Sequence, residues 1–354
     1  MTLLKKFPAD FLVSESLVLP TTAPGPGPEG TPYHYVRLRK RGYTTFEAID
    51  ALSAFCGRDA REIGYAGLKD EDAITDQLVS LSGVLAPERI EQFNTAHGAG
   101  EHQQGHPPFL MLRHHGYGPL ALGVGELDGN SFHIVVRHLD QAQAERLEAI
   151  RGRRSLYFVN YYDTQRFGVP TGPKRTHLTG QALLDGDHGR ALKLVAESGS
   201  PEADAAARHT GPAADFFAGL DQRRVAFFLS AHASHVWNRQ VGDLVRARCG
   251  EAAVEEERDG IPYLFPTTAD GVLAVLRDGL GLRYDSWRWR DGRMTSSASA
   301  RPAAVQTQIR VGQVTEDESA PGAWKCVLKF FLGSGCYGTT AVSQFFHQLQ
   351  AAAR

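Results

Sequence analysis

The sequence has few features of a membrane or secreted protein. No run of about eighteen apolar residues occurs among its 354 residues, and the opening stretch MTLLKKFPADF lacks an apolar segment followed by a small-residue cleavage site. Only four cysteines are present, Cys56, Cys249, Cys326 and Cys336, and none forms a C-x-x-C pair, which argues against a disulfide framework or a zinc ribbon. We therefore expect a cytoplasmic protein with free thiols and no membrane partner.

An excess of charge of one sign is also lacking. The 38 lysines and arginines and 40 acidic residues give a formal net charge of −2, which neither indicates nor excludes a nucleic-acid partner, because basic residues can be gathered locally. Local basic groups occur at 37–41, 151–154, 174–175 and 223–224. With 42% apolar and 22% charged residues, the chain has the composition of a globular protein long enough for two domains.

Hydrophobic periodicity predicts a mixture of strands and helices. Strand-like alternation covers 10–19, 33–43, 130–139 and 325–332, and a Pro/Gly-rich loop covers 21–30. Thr44 and Glu47 have capping-box spacing at the start of a helix that Gly57 ends. Helical periodicity also covers 140–150, 181–197 and 223–250, whereas 258–307 predicts only loops and short strands.

Three local patterns could carry chemistry, and each has an ordinary alternative. GSGCYG at 333–338 fits a dinucleotide-binding loop, but the rest of a βαβ unit does not follow, so a turn after a strand is the better interpretation. His102, His106, His114 and His115 lack metal-site spacing and favour a solvated loop. Asp70-Glu71-Asp72 fits the D-x-D of aspartyl-phosphate phosphatases, but IGYAGLK is not the apolar strand that those enzymes need, and a turn aspartate is the simple alternative.

Taken together, several segments resemble the TruD family of tRNA pseudouridine synthases. GYAGLKDEDAITDQ is similar to the family's G-x-K-D and A-x-T-x-Q signature, and LLKKFPADFLVSE to its K-x-x-P-x-D-F-x-V-x-E opening. GNSF at 129–132 resembles its G-N-x-F strand, NYYDTQRFG at 160–168 its N-Y-F-x-x-Q-R-F-G motif, and SAHASHVWN at 230–238 its S-x-x-x-S-x-x-F-N helix. LKFFLGSGCYGTT resembles its last strand and glycine turn, so the motifs run in the family's order from Lys5 to Thr340.

The resemblance implies an α+β fold: a pseudouridine-synthase-like catalytic domain with a mixed, largely antiparallel sheet, and an inserted α/β TRUD domain. The implied boundaries are 1–152 and 301–354 for the discontinuous catalytic domain and 153–300 for the insertion. The implied activity is isomerisation of uridine to pseudouridine, at position 13 in the D-arm of tRNA. The reaction needs neither a redox change nor a group donor, so we expect no cofactor and no metal, and a monomer that binds tRNA.

The resemblance also implies the site residues. Asp70 corresponds to the catalytic aspartate, which either attacks C1′ or removes the C2′ proton; both alternatives stay open. Lys5 would keep that carboxylate ionised, Asn130 would orient it, and Phe132 would stack on the flipped base, with Phe11 walling the pocket or packing beneath it. The remaining substrate-binding candidates are Lys69, Gln165 and Arg166, and Arg166 would contact phosphate or pair with a buried carboxylate.

Departures from the family pattern concern the surroundings of Asp70. Glu71 and Asp72 add two carboxylates where the family often has a basic residue, Ala9 and Tyr162 replace an acidic residue and a phenylalanine, and 259–305 match poorly. Two other classes of function remain as alternatives: a non-catalytic RNA-binding or RNA-folding protein, and an aspartate-nucleophile phosphatase. Lys69, Asp70, Asn130 and Phe132 together disfavour the first, and the missing apolar strand disfavours the second.

Overall fold

The structure of the protein is a computed structural model. It describes residues 4–19, 31–101, 103, 106–170, 172–290 and 293–352. The Pro/Gly-rich loop predicted at 21–30 and His102 lie outside these residues. The chain divides into two compact units, residues 1–154 with 308–335, and residues 155–307 with 336–354. The divisions after residues 154 and 307 each fall within a strand, and each unit consists of two separate stretches of the sequence.

The first unit contains most of a large sheet and three helices among its described residues. Its strands are β1 (Phe11–Ser16), β2 (Tyr33–Arg41), β3 (Gly64–Tyr65), β4 (Ile74–Ser82), β5 (Phe109–Gly118), β6 (Gly129–Leu139), the start of β7 (Gly152–Val159), most of β12 (Ala304–Glu316), and β13 (Trp324–Gly333). Its helices are α1 (Thr45–Cys56), α2 (Pro87–His97) and α3 (Gln141–Ala149).

The second unit is mainly helical. Its helices are α4 (Thr176–Leu184), α5 (His188–Ala196), α6 (Ala203–Arg208), α7 (Ala213–Gly219), α8 (Gln222–Cys249), α9 (Ala269–Asp278) and α10 (Gly338–Ala351). Two hairpins accompany them, β8 (Ala253–Arg258) with β9 (Ile261–Pro266), and β10 (Tyr284–Arg290) with β11 (Arg293–Ser299).

The large sheet is mixed and mostly antiparallel, as predicted for the α+β fold. Its strand order is β5-β2-β4-β1-β6-β13-β12-β7, with β3 beside β4. β1 and β4 run parallel, whereas β1 with β6, β2 with β4 and β5, and β13 with β6 and β12 run antiparallel. Because side chains alternate across a strand, Phe11, Val13 and Glu15 share one face of β1 with their β6 neighbours.

The helix after β2 begins and ends where the sequence predicts. Thr44 Oγ1 accepts a hydrogen bond from the Glu47 amide while the Glu47 carboxylate accepts one from the Thr44 amide, which completes the capping box. Gly57 follows the helix with φ 66°, a left-handed conformation that favours glycine. The buried face of α1, with Ile49 and Leu52, packs on Val36 and Leu38 of β2.

One prediction for the second unit is wrong. The region 258–307, predicted as loops and short strands, contains the helix α9, whose first turn is capped by the Thr268 hydroxyl. Val272 and Val275 of this helix are fully buried against the long helix α8 and strand β9. Its single short apolar stripe is flanked by glycines, so local periodicity did not distinguish it from a loop.

The compact units differ from the predicted domains mainly at the C-terminus. Helix α10 packs within the second unit: its Gln344 amide donates to the Pro266 carbonyl, and His347 stacks on Phe265 at 5.2 Å between ring centres. The assignment of 301–354 to a catalytic domain therefore stays a prediction about function rather than packing. None of the helices in the described part of the chain is long and apolar enough to cross a membrane.

Candidate active site

Asp70 lies in an irregular loop, residues 66–73, between β3 and β4. We call this segment the Asp70 loop. The residues before the aspartate form no strand, and Lys69 points into the interior with 8% of its surface exposed. The aspartate of a D-x-D phosphatase follows directly on a buried strand, so the local geometry does not fit that alternative.

Lys5 connects two carboxylates of the Asp70 loop. Its Nζ donates to Asp70 Oδ2 at 2.9 Å and to Asp72 Oδ1 at 2.7 Å. Burial, the largest single effect, would lower the pKa of Lys5, but the attraction to Asp70 and Asp72 and the hydrogen bonds with them together outweigh it and raise the pKa above its usual value. The Asp70 side chain is 15% exposed, and its Oδ1 has no hydrogen-bond partner among the described residues. One carboxylate oxygen is therefore held by a cation and the other remains available.

The N-terminal segment that carries Lys5 is anchored by a buried arginine. Arg137 Nε donates to both oxygens of Asp10 at 2.9 and 3.0 Å, and its Nη1 donates to Asp317 at 2.7 Å. Lys6 Nζ adds contacts to His138 and Ser319. Lys5 has φ 57°, so the chain bends between these anchors and directs the lysine toward the Asp70 loop.

Phe11 lies beneath Lys5 and is in contact with Phe132. The Lys5 ammonium lies 4.5 Å from the centre of the Phe11 ring, and Phe11 meets Phe132 edge to face at 6.0 Å. Phe132 is 7% exposed, and its ring stacks on Phe330 at 5.2 Å. Phe11 is buried beneath Lys5, and Phe132 has little exposed surface.

Lys69 forms a buried ion pair with Glu15. Its Nζ lies 2.8 Å from Glu15 Oε1, and the two side chains are 4% and 0% exposed. The other oxygen of Glu15 accepts a hydrogen bond from the Leu78 amide, where pairing of β1 with β4 has ended. The prediction of a direct substrate contact by Lys69 is therefore not supported by this geometry, because a buried ion pair already occupies its charge.

Asn130 lies directly across from Glu15 on the neighbouring strand. Side chains opposite each other on antiparallel strands have Cβ atoms about 5 Å apart, so Asn130 is close to the Glu15–Lys69 pair. Its Oδ1 is buried and has no hydrogen-bond partner among the described residues, and no bond joins it to Asp70. A buried amide oxygen without a donor is costly, which is typical of a group that a ligand completes.

Lys40 is the site residue that the motifs did not indicate. It is fully buried, and its Nζ donates to the carbonyls of Tyr43, Lys69 and Asp70 at 2.8, 3.1 and 2.6 Å. The sequence contained a signal for its burial, because Lys40 continues the β2 alternation of Val36 and Leu38. Its partners are distant in sequence and could not be identified from that pattern.

Gln165 and Arg166 belong to the second unit, in a 3-10 turn over Thr164–Arg166. Arg166 Nε donates to Ser234 Oγ at 3.3 Å, and its guanidinium lies over the rings of Tyr162 and Phe227. It makes no ion pair with a carboxylate within the described ranges. Gln165 Oε1 is buried and lacks a partner there.

The histidines considered for a metal site are dispersed. His114 and His115 lie on strand β5 rather than in a loop, and His114 Nδ1 is 2.8 Å from His34 Nε2. His106 lies beside Phe7 in the preceding loop. Over the parts of the chain that the structure describes, no three His, Cys, Asp or Glu side chains form a potential metal site.

These observations define an α+β protein with a candidate active site built on one carboxylate, Asp70, and its lysine partner. The family model described as tRNA pseudouridine synthase D (TruD) matches residues 2–215, more than half of the chain. The chain belongs to this family.

Curated relatives include two proteins named tRNA pseudouridine synthase D. The protein from Geobacter sulfurreducens is 36% identical over 200 residues, covering 54% of this chain and 42% of the relative. The one from Anaeromyxobacter sp. is 34% identical over 206 residues, covering 58% and 49%. The matches thus span about half the length of these relatives. A solved TruD structure from Methanosarcina mazei is similar with a TM-score of 0.45 and 21% identity, covering 96% of this chain and 92% of that one.

Proposed function

We propose that this protein isomerises uridine to pseudouridine in tRNA, with Asp70 as the catalytic residue. The observation that carries the proposal is the state of its carboxylate: one oxygen is bound to the Lys5 ammonium, and the other has no partner among the described residues. Family membership supports the reaction class. The target implied by the resemblance is position 13 in the D-arm.

The reaction breaks the N1–C1′ bond of uridine, turns the uracil, joins C5 to C1′, and transfers the C5 proton away while N1 gains one. Attack on C1′ and removal of the C2′ proton both require an ionised carboxylate within reach of the ribose. Lys5 binds Asp70 Oδ2 and leaves Asp70 Oδ1 to act. Either step is compatible with this arrangement.

Asn130 is our candidate for binding the uracil. Its buried Oδ1 lacks a donor, and the N3–H of uracil is a donor on the edge that a flipped base presents to a pocket. Phe132, 7% exposed on the same strand and face, would border the base rather than cover it. Lys69 and Phe11 would act without touching the base. Lys69 would hold Glu15 in place through their ion pair, and Phe11 would support the Lys5 ammonium that lies over its ring.

In the second unit, Arg166 and Gln165 are proposed RNA contacts. The Arg166 guanidinium is held by Ser234 and two aromatic rings without a carboxylate partner in the described residues, so its charge remains available for a phosphate. We further propose that the protein acts as a monomer in the cytoplasm, without a cofactor or metal.

The test is incubation of purified protein with unmodified tRNA transcripts, followed by mapping of pseudouridine by chemical labelling and mass spectrometry. We expect product at one D-arm uridine, and no product in a matched transcript with cytidine at position 13. Product at another uridine would contradict the proposed position. Tight binding without product would contradict the reaction and favour an RNA-binding protein.

A further inference from the structure

Residues 40–45, at the junction of β2 and α1, bind the backbone of the Asp70 loop around Asp70 itself. Four backbone groups of the loop are bonded there: Thr45 Oγ1 accepts from the Lys69 amide at 2.9 Å, Lys40 Nζ donates to the Lys69 and Asp70 carbonyls, and the Gly42 amide donates to the Glu71 carbonyl at 2.9 Å. At its start, the loop is also held by the Gly125 amide, which donates to the Ala66 carbonyl, and by the Gln77 side chain, which donates to the Gly67 carbonyl. A loop without strand pairing depends on such bonds for its position.

Lys40 makes the central pair of these bonds. Its third hydrogen goes to the Tyr43 carbonyl, so all three donors of the ammonium are used, and each acceptor is a backbone carbonyl. Burial lowers the pKa of Lys40 to about 7, against the attraction of Asp70, which raises it. Among the described residues, no carboxylate bonds to this buried ammonium.

A buried ammonium held only by carbonyl dipoles is an expensive way to fill a core position. An apolar side chain of similar length would avoid the desolvation cost. The arrangement does provide one thing that methionine or leucine could not: a rigid three-way connection between β2, the turn before α1 and the carbonyl of the residue that carries the reacting carboxylate. A displacement of about 1 Å in a reacting group can cost about a hundredfold in rate.

We propose that Lys40 is a positioning residue for the isomerisation: by binding the carbonyls of Lys69 and Asp70, it holds the Asp70 carboxylate beside Lys5 and at the place of the ribose. This inference rests on the proposed function. Lys40 itself does not touch the substrate, and it acts through the backbone of the Asp70 loop.

The test compares Lys40→Met with a matched control, Lys174→Met. Lys174 is 8% exposed and also donates to three carbonyls, those of Gly168, Val169 and Pro170, but it lies in the second unit. Steady-state kinetics on tRNA would be measured together with thermal unfolding and backbone hydrogen exchange of the peptide that covers 66–73.

We expect Lys40→Met to lower kcat by about a hundredfold while KM for tRNA changes by less than about threefold, and to accelerate exchange at 66–73. Lys174→Met should lower the melting temperature without either change. A folded Lys40→Met protein with wild-type kcat would overturn the inference. An equal loss of kcat in both variants would also overturn it, because the effect would then be one of general stability.

If Lys40→Met does not fold, Thr45→Val against Thr45→Ser tests the same connection: removal of the hydroxyl should lower kcat at least about tenfold, and serine should restore it. If the wild type makes no pseudouridine, the proposed function fails, and hydrogen exchange alone decides the positioning role. Unchanged exchange at 66–73 in Lys40→Met would then refute it.

Discussion

Replacement of Arg137 by methionine should destabilise the first unit strongly. The arginine forms salt bridges with Asp10 and Asp317, and the three side chains are 7%, 3% and 0% exposed. Methionine keeps the apolar length of the side chain but leaves both carboxylates buried without their cation. Removing one partner of a buried ion pair typically costs about 3 to 5 kcal/mol.

The lower end of that range is expected here, about 3 kcal/mol, because both carboxylates keep other donors. Asp10 accepts from the Phe7 amide, and Asp317 accepts from the His138 and Ser319 amides. In the wild type, burial raises the pKa of Asp317, but the bonds from Ser319, His138 and Arg137 lower it well below its usual range.

The loss of stability in Arg137→Met should depend on pH in a defined direction. Without Arg137, the pKa of Asp317 rises in the folded state, so protonation of the folded protein begins at higher pH and relieves the buried charge. The stability deficit of Arg137→Met should therefore be largest near pH 7 and shrink as the pH falls toward 4. The wild type keeps the stability from its low Asp317 pKa throughout this range and loses it only as the pH falls below about 4.

Urea unfolding of wild type and Arg137→Met at pH 7 and pH 5 measures both the stability deficit and its dependence on pH. Arg151→Met is the control, because its ion pair with Glu148 is about half exposed and should contribute less than about 1 kcal/mol. A deficit below about 1 kcal/mol for Arg137→Met at pH 7, or a deficit that grows toward pH 5, would show that the two buried carboxylates do not depend on Arg137.

Three further predictions concern other parts of the first unit. Lys5→Met should lower kcat about ten- to hundredfold with little change in melting temperature, because it removes the cation from Asp70; an unchanged kcat would exclude that role. Burial lowers the pKa of His34 to about 4, so the stability of the wild type should be constant above about pH 6.5 and fall as the pH drops from there to about 4. The urea midpoint, measured as a function of pH, should change less steeply over this range in His34→Asn than in the wild type. Thr44→Ala should cost about 1 kcal/mol in urea unfolding through the lost capping box, with Thr44→Ser near wild type.

Local signals in the sequence predicted the local structure well. The capping box at Thr44 and Glu47 and the end of that helix at Gly57 depend on neighbouring residues alone, and the structure confirms them. Helix α9 was missed because Val272 and Val275 are buried by distant elements rather than by a long stripe of their own. Tertiary packing decides such short helices.

The candidate site likewise has some features that the sequence motifs indicated and others that depend on distant contacts. Family motifs brought Lys5, Phe11 and Asp70 to notice, and the structure brings these three into contact. The motifs could not show that the charge of Lys69 is already taken by Glu15, nor that Lys40 reaches across to the carbonyls of the Asp70 loop. Such contacts join residues far apart in the chain, so they depend on strand register and on burial that no single segment specifies.

Asp72, a more exposed neighbour of Asp70, provides the sharpest comparison for the proposed catalytic role of the Asp70 carboxylate. Both carboxylates bind Lys5, but their side chains are 15% and 42% exposed. Single-turnover formation of pseudouridine should be measured with wild type, Asp70→Asn and Asp72→Asn on the same tRNA transcript. We predict a loss of at least about a thousandfold for Asp70→Asn and less than about tenfold for Asp72→Asn. Product formation by Asp70→Asn at a rate near that of the wild type would show that Asp70 is not the catalytic residue.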